Sequence, residues 1–322
     1  MQDAKTPDLA GLDRDGWLAA LDRLGDERGY FEPLGASHSA IFSDDGPVLL
    51  VTFETMERAR ARQSHLPLGF ELAAPRGWSQ LCLLAHDATW FRDRRVYGYF
   101  DRLVDDGFFE DFDRVIFYGA GMCGYAAAAY SVAAPGSVVI AVQPQATLDP
   151  RRAGWDRRFL RHRRLCFTDR YGFAPQMVEA ADRVFVLYDP EIEADAIHAA
   201  FFTCGNTELI RCRHFGDDIA ADLLRLELLP GLLDLAAQGR LDASAFHRAL
   251  RARGSYLPYL RNLVGLLAVT RQWLRLGKAT RLLGRRFGGR RFQKAQAEAQ
   301  RHLAAEGRSL PPLRREPAAV ES

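Results

Sequence analysis

Two hydrophobic rhythms run along the chain. Residues 12–28 carry spaced apolar positions, Trp17, Leu18, Leu21 and Leu24, the pattern of an amphipathic helix. Residues 39–43 and 48–54 are instead short apolar runs joined by Asp44-Asp45-Gly46-Pro47, which predicts two strands and a turn. Short runs of the same kind recur at 79–85, 115–118, 138–142, 184–188 and 208–212. Helical patterns separate them at 56–63, 93–110, 122–130, 192–202 and 218–228. Strands alternating with helices predict a mostly parallel sheet covered on both faces over residues 39–228, with 115–118 as a central strand. Beyond Pro230 the strand pattern stops, and helices broken at Gly254, Pro258, Gly284 and Gly288-Gly289 are expected. The organisation predicted is an α/β domain over 1–229 with an N-terminal extension, a basic helical region over 230–310 and a disordered tail over 311–322.

Composition changes this picture little, and charge changes it more. The chain is 48% apolar and 26% charged, ordinary for a globular protein. No apolar run reaches the length of a membrane span, and the polar N-terminus does not look like a signal peptide. Five scattered cysteines without C-x-x-C predict a cytoplasmic protein with no disulfide framework and no metal site; no cofactor motif is evident. The net charge of +2 conceals a division: 18 basic and 6 acidic residues from Pro230 onward, against 25 and 35 before it. Arg271, Arg275, Lys278, Arg281 and Arg285 fall on about a third of the circumference of a helix. Either they form a solvated face, or they meet an anionic membrane surface, nucleic acid or an acidic polymer.

The candidate chemistry gathers at Tyr118-Gly119-Ala120-Gly121-Met122-Cys123-Gly124-Tyr125-Ala126-Ala127. Strand, glycine turn and alanine-rich helix in succession form the frame of a nucleophile elbow, in which G-x-S-x-G sets a serine on a tight turn. With Pro144-Gln145 and Tyr188-Asp189, this stretch resembles an α/β-hydrolase-like family over residues 80–230. The resemblance implies a mostly parallel, α/β-hydrolase-like sheet, and a triad whose serine is absent here. In one register Gly121 stands at the nucleophile position; in another, Cys123 does. Asp189 stands where the resemblance places the acid, and His214 lies three residues before the expected histidine position.

Cys123, Asp189 and His214 are therefore the candidate catalytic residues, with Gly119, Gly121, Met122 and Gly124 shaping the turn. Gln143 and Gln145 are pocket candidates. A cysteine in the first turn of a helix feels the positive end of the dipole, which favours thiolate; buried packing is the alternative. Cys82, Cys166, Cys204 and Cys212 are expected in the core. The chain also resembles sequences named phosphoadenosine phosphosulfate reductases, yet it has neither S-G-G-x-D-S nor E-C-G-x-H. Three functions stay open: a hydrolase-like protein with a degraded triad, either inactive or using cysteine chemistry on a small molecule; a sulfonucleotide reductase; and an accessory protein binding an anionic surface.

Overall fold

The computed structural model describes residues 9–312. Eight strands form one sheet: β1 (Gly29–Pro33), β2 (His38–Ser43), β3 (Val48–Thr55), β4 (Ser79–Ala85), β5 (Arg114–Ala120), β6 (Val138–Val142), β7 (Arg183–Tyr188) and β8 (Thr207–Arg211). Their order is β1-β2-β4-β3-β5-β6-β7-β8. β2 runs antiparallel to both β1 and β4, and the other pairings are parallel. This is an α/β-hydrolase-like sheet.

Helices α1 (Arg14–Arg28), α2 (Met56–Arg60), α3 (Leu68–Ala73), α4 (Arg94–Asp105) and α5 (Met122–Tyr130) belong to its first part. α6 (Pro150–Ala153), α7 (Ala174–Met177), α8 (Glu193–Ala200), α9 (Ile219–Arg225), α10 (Leu228–Ala237) and α11 (Ala243–Ala249) follow. The period-two alternation of strand side chains divides the core between two faces. Ile41, Cys82 and Leu84 pack with Trp17, Leu21 and Phe70 from α1 and α3. Their neighbours Ala40, Phe42, Leu81 and Leu83 point the other way, into a larger cluster with Phe100 and the alanines of α5.

Departures from the sequence pattern have local causes. The helix expected over 93–110 stops at Asp105, because Gly107 at φ +69° turns the chain and leaves one 3-10 turn after it. β1 was not foreseen: five half-buried or exposed residues carry too weak a pattern, and pairing with β2 defines the strand. Two compact units divide the chain, the first running up to Arg251 and the second beginning at Ala252. Within the first unit, α10 packs on β5 and α11 on β8. The second unit holds α12 (Leu257–Val269), α13 (Trp273–Phe287) and α14 (Arg290–Ala305), packed around Val264, Leu267, Leu276, Phe292 and Ala299. The tail expected to be disordered lies, from residue 313, outside the described residues.

Candidate functional site

β5 delivers the chain to the carboxyl edge of the sheet, where Gly121 turns it into α5. Gly121 has φ +61° and ψ −123°, a conformation that side-chain-bearing residues rarely adopt. Its N–H donates to the Val142 carbonyl of β6 at 2.8 Å, and its own carbonyl accepts from Tyr125 N–H at 2.9 Å. A Cβ on Gly119 would come 2.1 Å from the Cys123 carbonyl oxygen, whereas one on Gly121 would meet nothing within 4 Å. The close crossing of strand and helix thus needs glycine at 119; at 121 only the backbone conformation asks for it. Met122 opens α5 half-buried, and Gly124 packs against the Val142 carbonyl.

Cys123 lies in the first turn of α5 and is only 5% exposed. Burial pushes its thiol up to about 12, and Glu54 adds to the rise against Arg58 and Arg62. The helix dipole favours thiolate, but desolvation wins here. Of the other cysteines, Cys82 and Cys212 are buried, Cys204 is half-buried and Cys166 is exposed; no disulfide joins any of the five. The expectation that Cys166 packs in the core is corrected: it lies in a polar, arginine-rich loop.

Glu54, not singled out in the sequence, is the charged group built most firmly into the end of β3. It is 5% exposed and takes an ion pair from Arg62 at 2.5 Å. Leu68 N–H donates to it at 2.6 Å and Thr52 Oγ1 at 3.3 Å. Burial alone would lower the Arg62 guanidinium pKa; the attraction of Glu54 reverses this and raises it. A glutamate closing the apolar run VLLVTFET was the available signal.

The polar residues at the ends of β6 and β7 are heavily engaged. Asp189 is buried and accepts from the N–H groups of Glu191 at 3.0 Å and Gly216 at 2.8 Å. It is thereby tied to the loop carrying His214, which is half-buried at φ +67°. Gln143 donates to Asp195 Oδ2 at 2.8 Å and the Gly216 carbonyl at 3.2 Å, and accepts from Ile219 N–H at 2.9 Å. Gln145 accepts from Trp90 Nε1 at 3.2 Å and donates to the Gln143 carbonyl at 3.3 Å. These bonds brace the strand ends.

Two histidines missed in the sequence anchor polar clusters. Ala146 N–H donates to His198 Nδ1 at 3.1 Å, so Nε2 carries the proton and donates to Asp156 Oδ2 at 3.1 Å. Arg158 joins Asp156 at 2.9 Å to Asp195 at 2.6 Å, and Asp195 returns to Gln143. Burial lowers the His198 pKa, with Asp156 opposing; burial would raise that of Asp156, but Arg158 holds it below its ordinary range. Elsewhere, His38 Nε2 lies 2.7 Å from Thr89 Oγ1, and its Nδ1 lies 3.8 Å from Asp93. Burial pushes His38 down to about 4, with Asp93 pulling upward, so this hydroxyl–histidine–carboxylate row lacks a good base.

In the second unit, Arg271 is not in the helix that the sequence pattern assigned it. Its φ is +54°, and α13 begins at Trp273. Arg271, Arg275, Lys278 and Arg285 are exposed, while half-buried Arg281 donates to the Pro311 carbonyl at 2.6 Å. Among the described residues, no cluster of three His, Cys, Asp or Glu could hold a metal ion, and no helix is long and apolar enough to cross a membrane. A cleft of about 700 Å³ lies beside α2, lined by Met56, Arg60, His65 and His86 and not by the elbow.

No family model matches the sequence, and no curated protein matches it. Solved structures give a likeness of fold. A carboxyl esterase from the fungus Tuber melanosporum is 13% identical with TM-score 0.42, over 66% of this chain and 84% of that one. Est1E from Butyrivibrio proteoclasticus is 15% identical with TM-score 0.41, over 62% and 95%. The carboxylesterase EstE1, cloned from a metagenomic library, is 13% identical with TM-score 0.39, over 73% and 99%. The likeness carries no activity to this chain.

Proposed function

We propose that this chain is an α/β-hydrolase-like protein without ester chemistry at its elbow, and that it works as a cytoplasmic binding protein. The observation that carries the reading is the tip: Gly121 holds the strained conformation of the turn and brings no nucleophile to it. Cys123 is a poor substitute, because a buried thiol pushed up to about 12 is protonated at neutral pH. Asp189 serves the backbone of its own loops. Sulfonucleotide reduction is no part of the proposal, since neither signature motif occurs. The test is p-nitrophenyl acetate hydrolysis by the intact protein and by Cys123→Ala. Turnover at the no-enzyme rate in both is expected; robust turnover lost in the variant would make Cys123 a nucleophile and end the reading.

The binding partner proposed for the second unit is a polyanion. Exposed Arg275, Lys278 and Arg285 on α13 support this, because cations spread along one helix attract phosphate or sulfate polymers in a salt-dependent way. Retention on heparin at low salt, weakened by Arg275→Gln/Lys278→Gln/Arg285→Gln, is expected. Unchanged retention in that variant would leave these residues as a solvated face.

A further inference from the structure

Between β6 and β7 the chain makes a long excursion, and its surface is more basic than the acidic body around it. Residues 149–164 contain seven arginines, no lysine and two aspartates. Neither aspartate is free to neutralise the surface. Asp149 caps α6 by accepting from Arg151 N–H at 3.0 Å, and Asp156 is buried against Arg158 and His198. Arg163 turns inward to the carbonyls of Gly154 at 2.8 Å and Asp156 at 2.6 Å. Arg151, Arg152, Arg157, Arg161 and Arg164 are exposed, and the ion pairs seen in this stretch all belong to Arg158, Asp156 and His198. Two large apolar side chains stand among them, Trp155 at 38% and Leu160 at 53% exposure.

We propose that this arginine platform docks the protein on an anionic lipid bilayer. Guanidinium groups pair with phosphate through two parallel hydrogen bonds, which a lysine cannot do. Exposed Trp and Leu beside such cations suit the interfacial zone of a membrane. Nucleic acid fits less well. Trp155 lies against His198 with ring centroids 4.7 Å apart and gives its N–H to the Arg152 carbonyl, which restricts it as a stacking platform for bases. Leu160 has no ring to stack. The platform is also ordered beforehand, because Arg158 and Asp156 weld it to Asp195 and His198 of α8. It is a surface distinct from α13, and the two can be separated by mutation.

The test is co-sedimentation of the full chain with phosphatidylcholine vesicles, with and without phosphatidylserine, at low and high salt. Binding only to the anionic vesicles at low salt is expected. With each basic group worth about 1 kcal/mol near such a surface, Arg157→Gln/Arg161→Gln/Arg164→Gln weakens binding about a hundredfold. Leu160→Ser weakens it severalfold at unchanged charge, which a purely electrostatic contact would not give. The α13 triple variant retains vesicle binding, so loss confined to that variant overturns this inference and leaves the polyanion reading standing. No binding by the wild type at low salt, or tighter binding to double-stranded DNA than to the vesicles, overturns it too. An unchanged circular-dichroism melt establishes that the variants are folded, as expected for side chains outside the buried network.

Discussion

At the elbow, a backbone conformation that few residues adopt is kept although the tip carries no side chain. Beyond β6, by contrast, Asp156, Asp195 and His198 are all buried: Arg158 bridges the two aspartates, His198 pairs with Asp156, and Gln143 donates to Asp195. The first region is a sharp turn whose tip bears no side chain; the second has acid, base and cation in close contact, each occupied by another. Ionisable side chains brought together at strand ends are therefore no evidence of reaction by themselves. What separates a brace from an active site is whether any of their polar atoms is left to face a ligand.

The sharpest test of that contrast is Asp156→Ala. It leaves Arg158 and His198 without their shared partner, and a loss of about 3–5 kcal/mol is expected from breaking a buried pair, measured by urea denaturation. A loss below about 1 kcal/mol, the range of exposed pairs, would show that the network is not a structural brace.

Acid should act nearly as strongly. In the folded protein burial holds His38 at about 4 and also lowers His198, whereas an unfolded histidine titrates near 6.5. The unfolded chain therefore binds more protons in this window. Stability is fully present above about pH 6.5 and is lost as the pH falls towards 4, by up to about 3 kcal/mol through His38. Urea midpoints between pH 7.5 and 4.5 would show the slope, and His38→Gln should flatten it; an equal slope in that variant would remove His38 as the source.

At the elbow the two glycines should differ in what their replacement costs. Gly119→Ala drives a methyl group into the Cys123 carbonyl and should cost about 3 kcal/mol, the upper end for overpacking. Gly121→Ala meets open space and bears only the cost of its conformation, about 2 kcal/mol. Thermal melts of the two variants would rank them, and a reversed order would mean that packing at 119 is not what holds strand and helix together.

The elbow was legible in the sequence because everything that makes it is local: an apolar run, Gly119 and Gly121, and then alanines. Sheet class was legible for the same reason, since each strand bears its own pattern. The polar network was not, because Asp156 and His198 lie 42 residues apart and meet only through the order of β6, β7 and α8. Arg271 looked helical by spacing alone, but its left-handed backbone places it in the turn before α13. For Cys123 the sequence left dipole and burial opposed, because which of them wins depends on packing that a motif does not reveal.

The empty space above Gly121 also bears on design. A small hydroxyl-bearing residue at this one position would find room, at the cost of a backbone conformation that favours glycine. Asp189 offers no ready partner for such a residue, since two backbone amides already donate to it. A designer starting from this chain would have an open turn to fill and would have to build the groups that activate whatever is placed there.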